Sequence, residues 1–338
     1  MLRHLRPARF TKLALAAGLS LTAAAIMPGE AAADAKGKKV LMVQSFATHP
    51  YVSTIIKSFK AKAEGYGIEV TVQAAGLDAA LQVRQFDDGI ARKFDMIIVQ
   101  PISEQAIVPA LTRAKEAKIP VIISNNTPKD GTSDLYLSFV GQDQVEMGRI
   151  VGRSMIKAFK AFKDSGRDGG KVALITGALQ EGPGPRRLAG IKEVLATDPK
   201  IQLAAVEDGR WDTATSERIA GQLFARFAAQ GGLDAIYGMA DNQAIASVKA
   251  AEAAGVPVGS GPKQLLAFGG NCLKEGIEAI KAGKVVSTVS QIPTQVGERI
   301  ADAARDYFDG KTLPKDILLP VEVINKDNVA NWEAACTY

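Results

Sequence analysis

From Val40 onward the chain alternates short, continuously apolar runs with longer segments whose apolar residues recur at helical spacing. Runs 40–45, 68–74, 96–100 and 121–124 read as strands. Segments 50–66, 79–93 and 103–118 read as the helices between them. In the first helix Val52, Ile55, Ile56 and Phe59 fall on one face, and Pro50 suits its opening turn. A further strand, 136–140, runs into Gly141-Gln142-Asp143, a crossing point, and Asp143 reads as the cap of a long helix, 145–162. After a polar, glycine-rich stretch the logic repeats. Strands 172–176, 202–207, 235–238, 265–268 and 285–291 alternate with helices 187–197, 213–230, 242–254 and 273–282. Pro293 opens a helix to about 308, and 318–324 reads as a last strand. Strands this short and this apolar are covered on both faces, which predicts parallel, doubly wound sheets.

The first 33 residues follow a different pattern. Arg3, Arg6, Arg9 and Lys12 precede an apolar run from Leu13 to Met27, then Pro28-Gly29 and Ala31-Ala32-Ala33. That order is expected of a signal peptide, 1–33, and so of a periplasmic protein. The run is shorter than the roughly 20 residues that span a bilayer. Its removal leaves 305 of 338 residues, enough for two domains. It also changes the charge. Four of the 41 bases and one of the 36 acids (Glu30) lie in the leader, so the net charge falls from +5 to +2. The remaining bases are scattered, which argues against nucleic acid as a partner.

Candidate chemistry is sparse. His49 is the one histidine after the leader, so a histidine-rich metal site is not expected. There is no Gly-x-Ser-x-Gly elbow, and the loop 177–186 lacks the Gly-Lys-Ser/Thr ending of a phosphate loop. An enzyme is therefore not expected, and no cofactor is called for. In an oxidising compartment Cys272 and Cys336 can form a disulfide that pins the C-terminal tail; two free thiols are the alternative.

Six segments, in order, resemble type I periplasmic binding proteins, most nearly the ribose-type proteins of sugar ABC transporters. They are Ser45-Phe46-Ala47-Thr48-His49-Pro50-Tyr51, Gly141-Gln142-Asp143 with Met147-Gly148, Arg187-Leu188-Ala189-Gly190-Ile191, Asp241-Asn242-Gln243-Ala244, Leu266-Ala267-Phe268-Gly269-Gly270 and Ser290-Gln291-Ile292-Pro293. The likeness spans about 38 to 325. It implies two doubly wound α/β domains joined by a three-crossing hinge, with ligand between them. The N-terminal lobe would be 38–140 plus 292–320 and the C-terminal lobe 141–291 plus 321–338.

The resemblance implies that Ser45 and His49 face the cleft, that Tyr51 and Trp211 set aromatic rings against a sugar, and that Arg187 and Gln291 bond it. Each has a plainer reading. His49 can be a surface residue, Tyr51 can pack in a helix's first turn, Arg187 can pair with Glu193, and Gln291 can brace the hinge. Three positions depart from the ribose-type pattern. Asn125-Asn126 stands for Asp-Arg, Ala240-Asp241 for Asn-Asp, and Phe268-Gly269-Gly270-Asn271 for Phe-Asp-Gly. Asn125, Asn126, Asp241 and Asn271 are thus candidate polar lining, and amides suit a neutral sugar or polyol. The implied partners are that small molecule and an inner-membrane ABC permease with its ATPase, the carrier itself being a monomer. The alternative is a ligand-binding partner of a chemoreceptor or sensor kinase. A sugar-responsive repressor would need a DNA-reading helix-turn-helix where the export signal lies.

Overall fold

The computed structural model describes residues 34–179 and 182–337; the expected signal peptide lies outside the described residues. The first half contains β1 (Lys39–Gln44), α1 (Pro50–Gly65), β2 (Glu69–Ala74), α2 (Ala79–Ala91), β3 (Met96–Val99), α3 (Val108–Glu116), β4 (Val121–Ser124) and β5 (Ser138–Gly141). The second contains α4 (Gln144–Lys160), β6 (Gly170–Thr176), α5 (Pro183–Leu195), β7 (Ile201–Asp208), α6 (Thr213–Ala228), β8 (Ala235–Gly238), α7 (Asp241–Ala253), β9 (Leu266–Phe268), α8 (Lys274–Lys281) and β10 (Ser287–Val289). Then come α9 (Pro293–Phe308), β11 (Asp316–Leu318) and β12 (Val323–Asn325).

These strands form two six-stranded sheets, ordered β11-β5-β4-β3-β1-β2 and β12-β10-β9-β8-β6-β7. Every pairing is parallel except β10 with β12. The central strands are buried on both faces, as the unbroken Val/Ile/Leu/Met runs require. Alternate residues of β1 show it: Val40 and Met42 pack under α1 and α9, while Leu41 and Val43 pack under α2 and α3. Asp143 caps α4 by accepting from the Val145 and Glu146 amides at 2.9 and 3.0 Å.

Some boundaries differ from the sequence reading. Helix 103–118 begins only at Val108, with Pro109 in its first turn, where a missing N–H costs nothing. The helix expected from Arg187 starts at Pro183 for the same reason, so Arg187 lies in its second turn. The expected strand 318–324 is two strands. β11 closes the first sheet and β12 the second, and the chain crosses between them.

The chain therefore passes between the sheets three times, and the crossing segments are bonded side by side. The Leu319 amide donates to the Gly141 carbonyl at 2.8 Å, and the Ser290 amide to the Glu322 carbonyl at 2.9 Å. The Ser290 hydroxyl accepts from the Glu322 amide at 2.8 Å. α4 and α5 approach closely: a Cβ on Gly148 would run into the Arg187 carbonyl. Glycine at 148 thus sets where α5 carries Arg187.

Candidate functional site

The loops that follow the strands of both sheets converge on one cavity, the usual ligand position in open α/β sheets. About 50 Å³ of it is open to the centre of a water molecule, several times the roughly 10–15 Å³ that one water needs. It suits a small molecule, not a chain of sugars. From the first sheet's loops it is lined by Ser45, Phe46, His49, Tyr51, Leu77, Gln100, Asn125 and Asn126. From the second come Pro183, Arg187, Trp211 and Asn271, with Gln291 at a crossing.

Nine of the ten residues singled out from the sequence share this wall. The tenth, Asp241, does not: it lies behind it. Its Oδ1 accepts from the Thr288 hydroxyl at 2.6 Å and its Oδ2 from the Leu273 amide at 2.7 Å. Its own amide donates to Asn271 Oδ1 at 3.1 Å. Asp241 therefore holds the 271–273 turn, which presents Asn271 to the cavity. The cause of the wrong expectation is local: an acid opening a helix has the same sequence signature whether it faces a ligand or a backbone turn.

Arg187 is the hub. Its Nε and Nη2 donate to Gln144 Oε1 at 3.1 and 2.6 Å, its Nη1 to the Met239 carbonyl at 2.9 Å, and its Nη2 to Gln291 Oε1 at 3.4 Å. The guanidinium lies 5.6 Å from the Trp211 ring centroid. Glu193, the alternative partner, bonds Arg149 instead at 3.0 Å. Gln291 Nε2 donates to Gln142 Oε1 at 3.2 Å and Asn125 Oδ1 at 3.3 Å, and Asn125 Oδ1 also accepts from the Tyr51 hydroxyl at 3.3 Å. One network thus ties the cavity wall to two of the three crossings. Tyr51 is both wall and packing residue, since it also belongs to the core under α1.

The sequence reading missed Gln100, Gln142 and Gln144. Gln100 follows β3 as Ser45 follows β1 and Asn125 follows β4, and that shared strand-end position was the available signal. Its Oε1 is buried and in no hydrogen bond among the described residues. Across the mouth, Arg186 of α5 bonds Glu104 and Asp130, beyond β3 and β4, at 2.8 Å each.

Backbone strain concentrates here. Leu77, Asn125, Trp211 and Asn271 have φ of 68°, 57°, 61° and 102°. Left-handed backbone costs a non-glycine residue about 1–2 kcal/mol, so such positions persist where surrounding contacts fix them, commonly at functional sites. Glycine at 177 makes room for Trp211, whose indole would collide with any Cβ there.

Burial raises the Tyr51 and Tyr237 hydroxyls further above the physiological range and shifts His49 and Asp241 in opposite senses at acid pH. Burial pulls His49 from 6.5 down to about 4, with the Asn242 side chain opposing it slightly. His49 Nδ1 accepts from the Tyr51 amide at 3.2 Å, so the neutral ring carries its proton on Nε2. Burial pushes Asp241 from 3.8 up to about 6 against its bonds from Thr288 and Leu273. Between pH 4 and 6.5 the unfolded chain binds more protons at position 49, so the histidine's contribution is full above 6.5 and lost as pH falls to 4. At position 241 the folded chain binds more, so the contribution is full below 3.8 and lost as pH rises through 6. Each shift is worth on the order of 3 kcal/mol, and over pH 4–6 they nearly cancel. His49→Asn is expected to leave a melting temperature that falls from pH 4 to 6. Asp241→Asn is expected to leave one that falls from pH 6.5 to 4. Melting profiles parallel to the parent's in both variants would refute this assignment.

Among the described residues no helix is long and apolar enough to cross a membrane, and no group of three or more His, Cys, Asp or Glu could hold a metal. The sequence profile described as periplasmic binding protein domain matches residues 40–312. A Rhizobium meliloti protein provisionally named as rhizopine-binding is 29% identical over 272 residues, 79% of this chain and 83% of that protein. The ribose import binding protein RbsB of Bacillus subtilis (strain 168) is 25% identical over 281 residues, covering 82% and 84%. The solved arabinose ABC transporter binding component from Shewanella sp. ANA-3, bound to L-arabinofuranose, superposes with a TM-score of 0.80. It is 24% identical, over 88% of this chain and 95% of that one.

Proposed function

The chain belongs to the periplasmic binding protein family, whose members carry solutes and are not enzymes, and from that premise we propose that it captures a small polyhydroxylated molecule of the sugar class. It would act in the periplasm, as the monomeric binding component of an ABC importer, and deliver the molecule to a permease. The two lobes proposed are 38–140 plus 292–320 and 141–291 plus 321–338, each built on one sheet and hinged at the three crossings. The sugar-binding names of the relatives support the ligand class.

The observation that carries this reading is the position of the cavity. Its walls come from the loops of both sheets, and Gln291 and Asn125 link them to the crossing segments. A ligand there gains contacts from both sides only when the lobes close, so it stabilises the closed form. An indole beside amides and a guanidinium suits a molecule with apolar C–H faces and a polar rim. Ser45, His49, Tyr51, Asn125, Asn126, Arg187, Trp211, Asn271 and Gln291 are the proposed contacts.

The test is thermal-shift screening of sugars, polyols and their derivatives, followed by small-angle scattering with and without the compound that binds. A smaller radius of gyration with ligand is expected; identical curves would remove the closing cleft. Trp211→Ala is expected to weaken binding about tenfold to a hundredfold, as loss of an aromatic anchor does, with little change in melting temperature. Calorimetry returning the parent's affinity would remove Trp211 from the site.

A further inference from the structure

We propose that the preferred ligand carries a carboxylate: a small sugar acid in place of a neutral sugar. This rests on the reading that the cavity binds a sugar-class molecule, and it replaces the uncharged ligand expected from the amide lining.

The ground is the charge balance of the wall. Arg187 is 2% exposed, and a buried guanidinium is normally matched by a carboxylate, because removing a lone charge from water is costly. Here its acceptors are Gln144, Gln291 and a backbone carbonyl, all neutral. Four bonds occupy a group with five N–H donors, and the buried Tyr237 hydroxyl lies beside it, so at most one donor is left for the cavity. Among the described residues no Asp or Glu lines the cavity. Among the described residues, Glu104 and Asp130 are committed to Arg186 at the mouth, and Asp241 to Thr288 and Leu273 behind the wall.

Two further features have the same sign. α1 and α5 both begin at the cavity, at Pro50 and Pro183, and neither has an acid in its first turn. Their amino ends add positive potential. His49, 8% exposed, presents an Nε2 that is in no hydrogen bond among the described residues. With Nδ1 engaged as an acceptor, that Nε2–H is a donor, with the Asn242 side chain beside the ring. A neutral sugar would satisfy these donors and leave the guanidinium's charge unmatched. A carboxylate satisfies both, because it accepts the remaining Arg187 N–H and matches the guanidinium's charge.

The experiment compares matched sets at pH 7 by thermal shift and calorimetry. Galacturonate, galactose and galactosamine form one set; glucuronate, glucose and glucosamine another; ribonate with ribose, and gluconate with glucose, supply open-chain acids. The carboxylate member is expected to bind at least about tenfold tighter than its neutral partner, and the amine not to bind. Asn125→Asp would place a carboxylate one residue, Gln291, away from the guanidinium. It keeps the two bonds accepted at Oδ1 and loses the one donated to Asn126. That variant is expected to lose affinity for the acid about tenfold to a hundredfold more than it loses for the matched neutral sugar. A neutral or amino member binding as tightly as its acid would overturn the charge assignment and leave the proposed function standing. So would an Asn125→Asp protein with undiminished affinity for the acid. Silence from every compound would count against both. Should Asn125→Asp not fold, the matched sets on the parent protein decide alone.

Discussion

Arg187→Met is expected to weaken ligand capture by about tenfold to a hundredfold, while the protein stays folded. The guanidinium is the one cation on the described wall, and its hydrogen bonds reach Gln144, Met239 and Gln291. Bonds from a charged donor are worth about 1.5–3 kcal/mol each, so losing the one donor left for the cavity accounts for about one to two decades. Methionine fills much of the volume but leaves Gln144 Oε1 and the Met239 carbonyl without these donors. Some stability is lost as well, on the order of 1–3 kcal/mol per buried group left unsatisfied. Arg187→Lys separates charge from geometry. It keeps the cation but not the planar fork, so its affinity should fall between the two. Calorimetry with the compound found by screening, alongside circular dichroism, reads both effects. Parent-like affinity in the Met variant would make Arg187 a brace of α4 against α5 and nothing more.

The second large effect concerns the tail. Cys272 and Cys336 are bonded to each other and fully buried, closing a loop of 64 residues in sequence separation. Loop closure of that length is worth about 4 kcal/mol in the chain-entropy account. Cys272→Ser/Cys336→Ser is therefore expected to melt about 10 °C lower than the parent. The effect should reach the cavity. Asn271 and Cys272 are consecutive left-handed residues, with φ of 102° and 56°. They are held from one side by Asp241 and from the other by the disulfide. Releasing one clamp lets the turn relax and moves Asn271, so ligand affinity should fall several-fold together with stability. A double variant that melts with the parent would show that packing of the tail alone fixes it. A lower melting point with unchanged affinity would detach Asn271 from binding.

Much of the candidate wall was singled out through the resemblance, and strand ends give its physical basis. Ser45 and Asn125 follow apolar runs that could only be buried strands, and parallel sheets place all such ends at one edge. Trp211 and Gln291 were singled out through the resemblance, not through periodicity. Gln142 and Gln144 were not, because they act from behind the wall. A glutamine that braces an arginine has no periodicity or spacing of its own. Nor was it readable that Glu193 bonds Arg149, since the two face each other only once α4 and α5 have packed.

The sequence by itself determined the alternation of strand and helix, the parallel sheets, the halving of the chain and the cap at Asp143. Each follows from burial and capping within a few residues of chain. The fold alone decided that 318–324 splits between two sheets, that Asp241 serves a turn, that the two cysteines meet, and that a buried guanidinium faces a cavity with no described acid on its wall. Those outcomes depend on which groups come together across tens to hundreds of residues. Packing sets that distance, and local pattern carries no record of it.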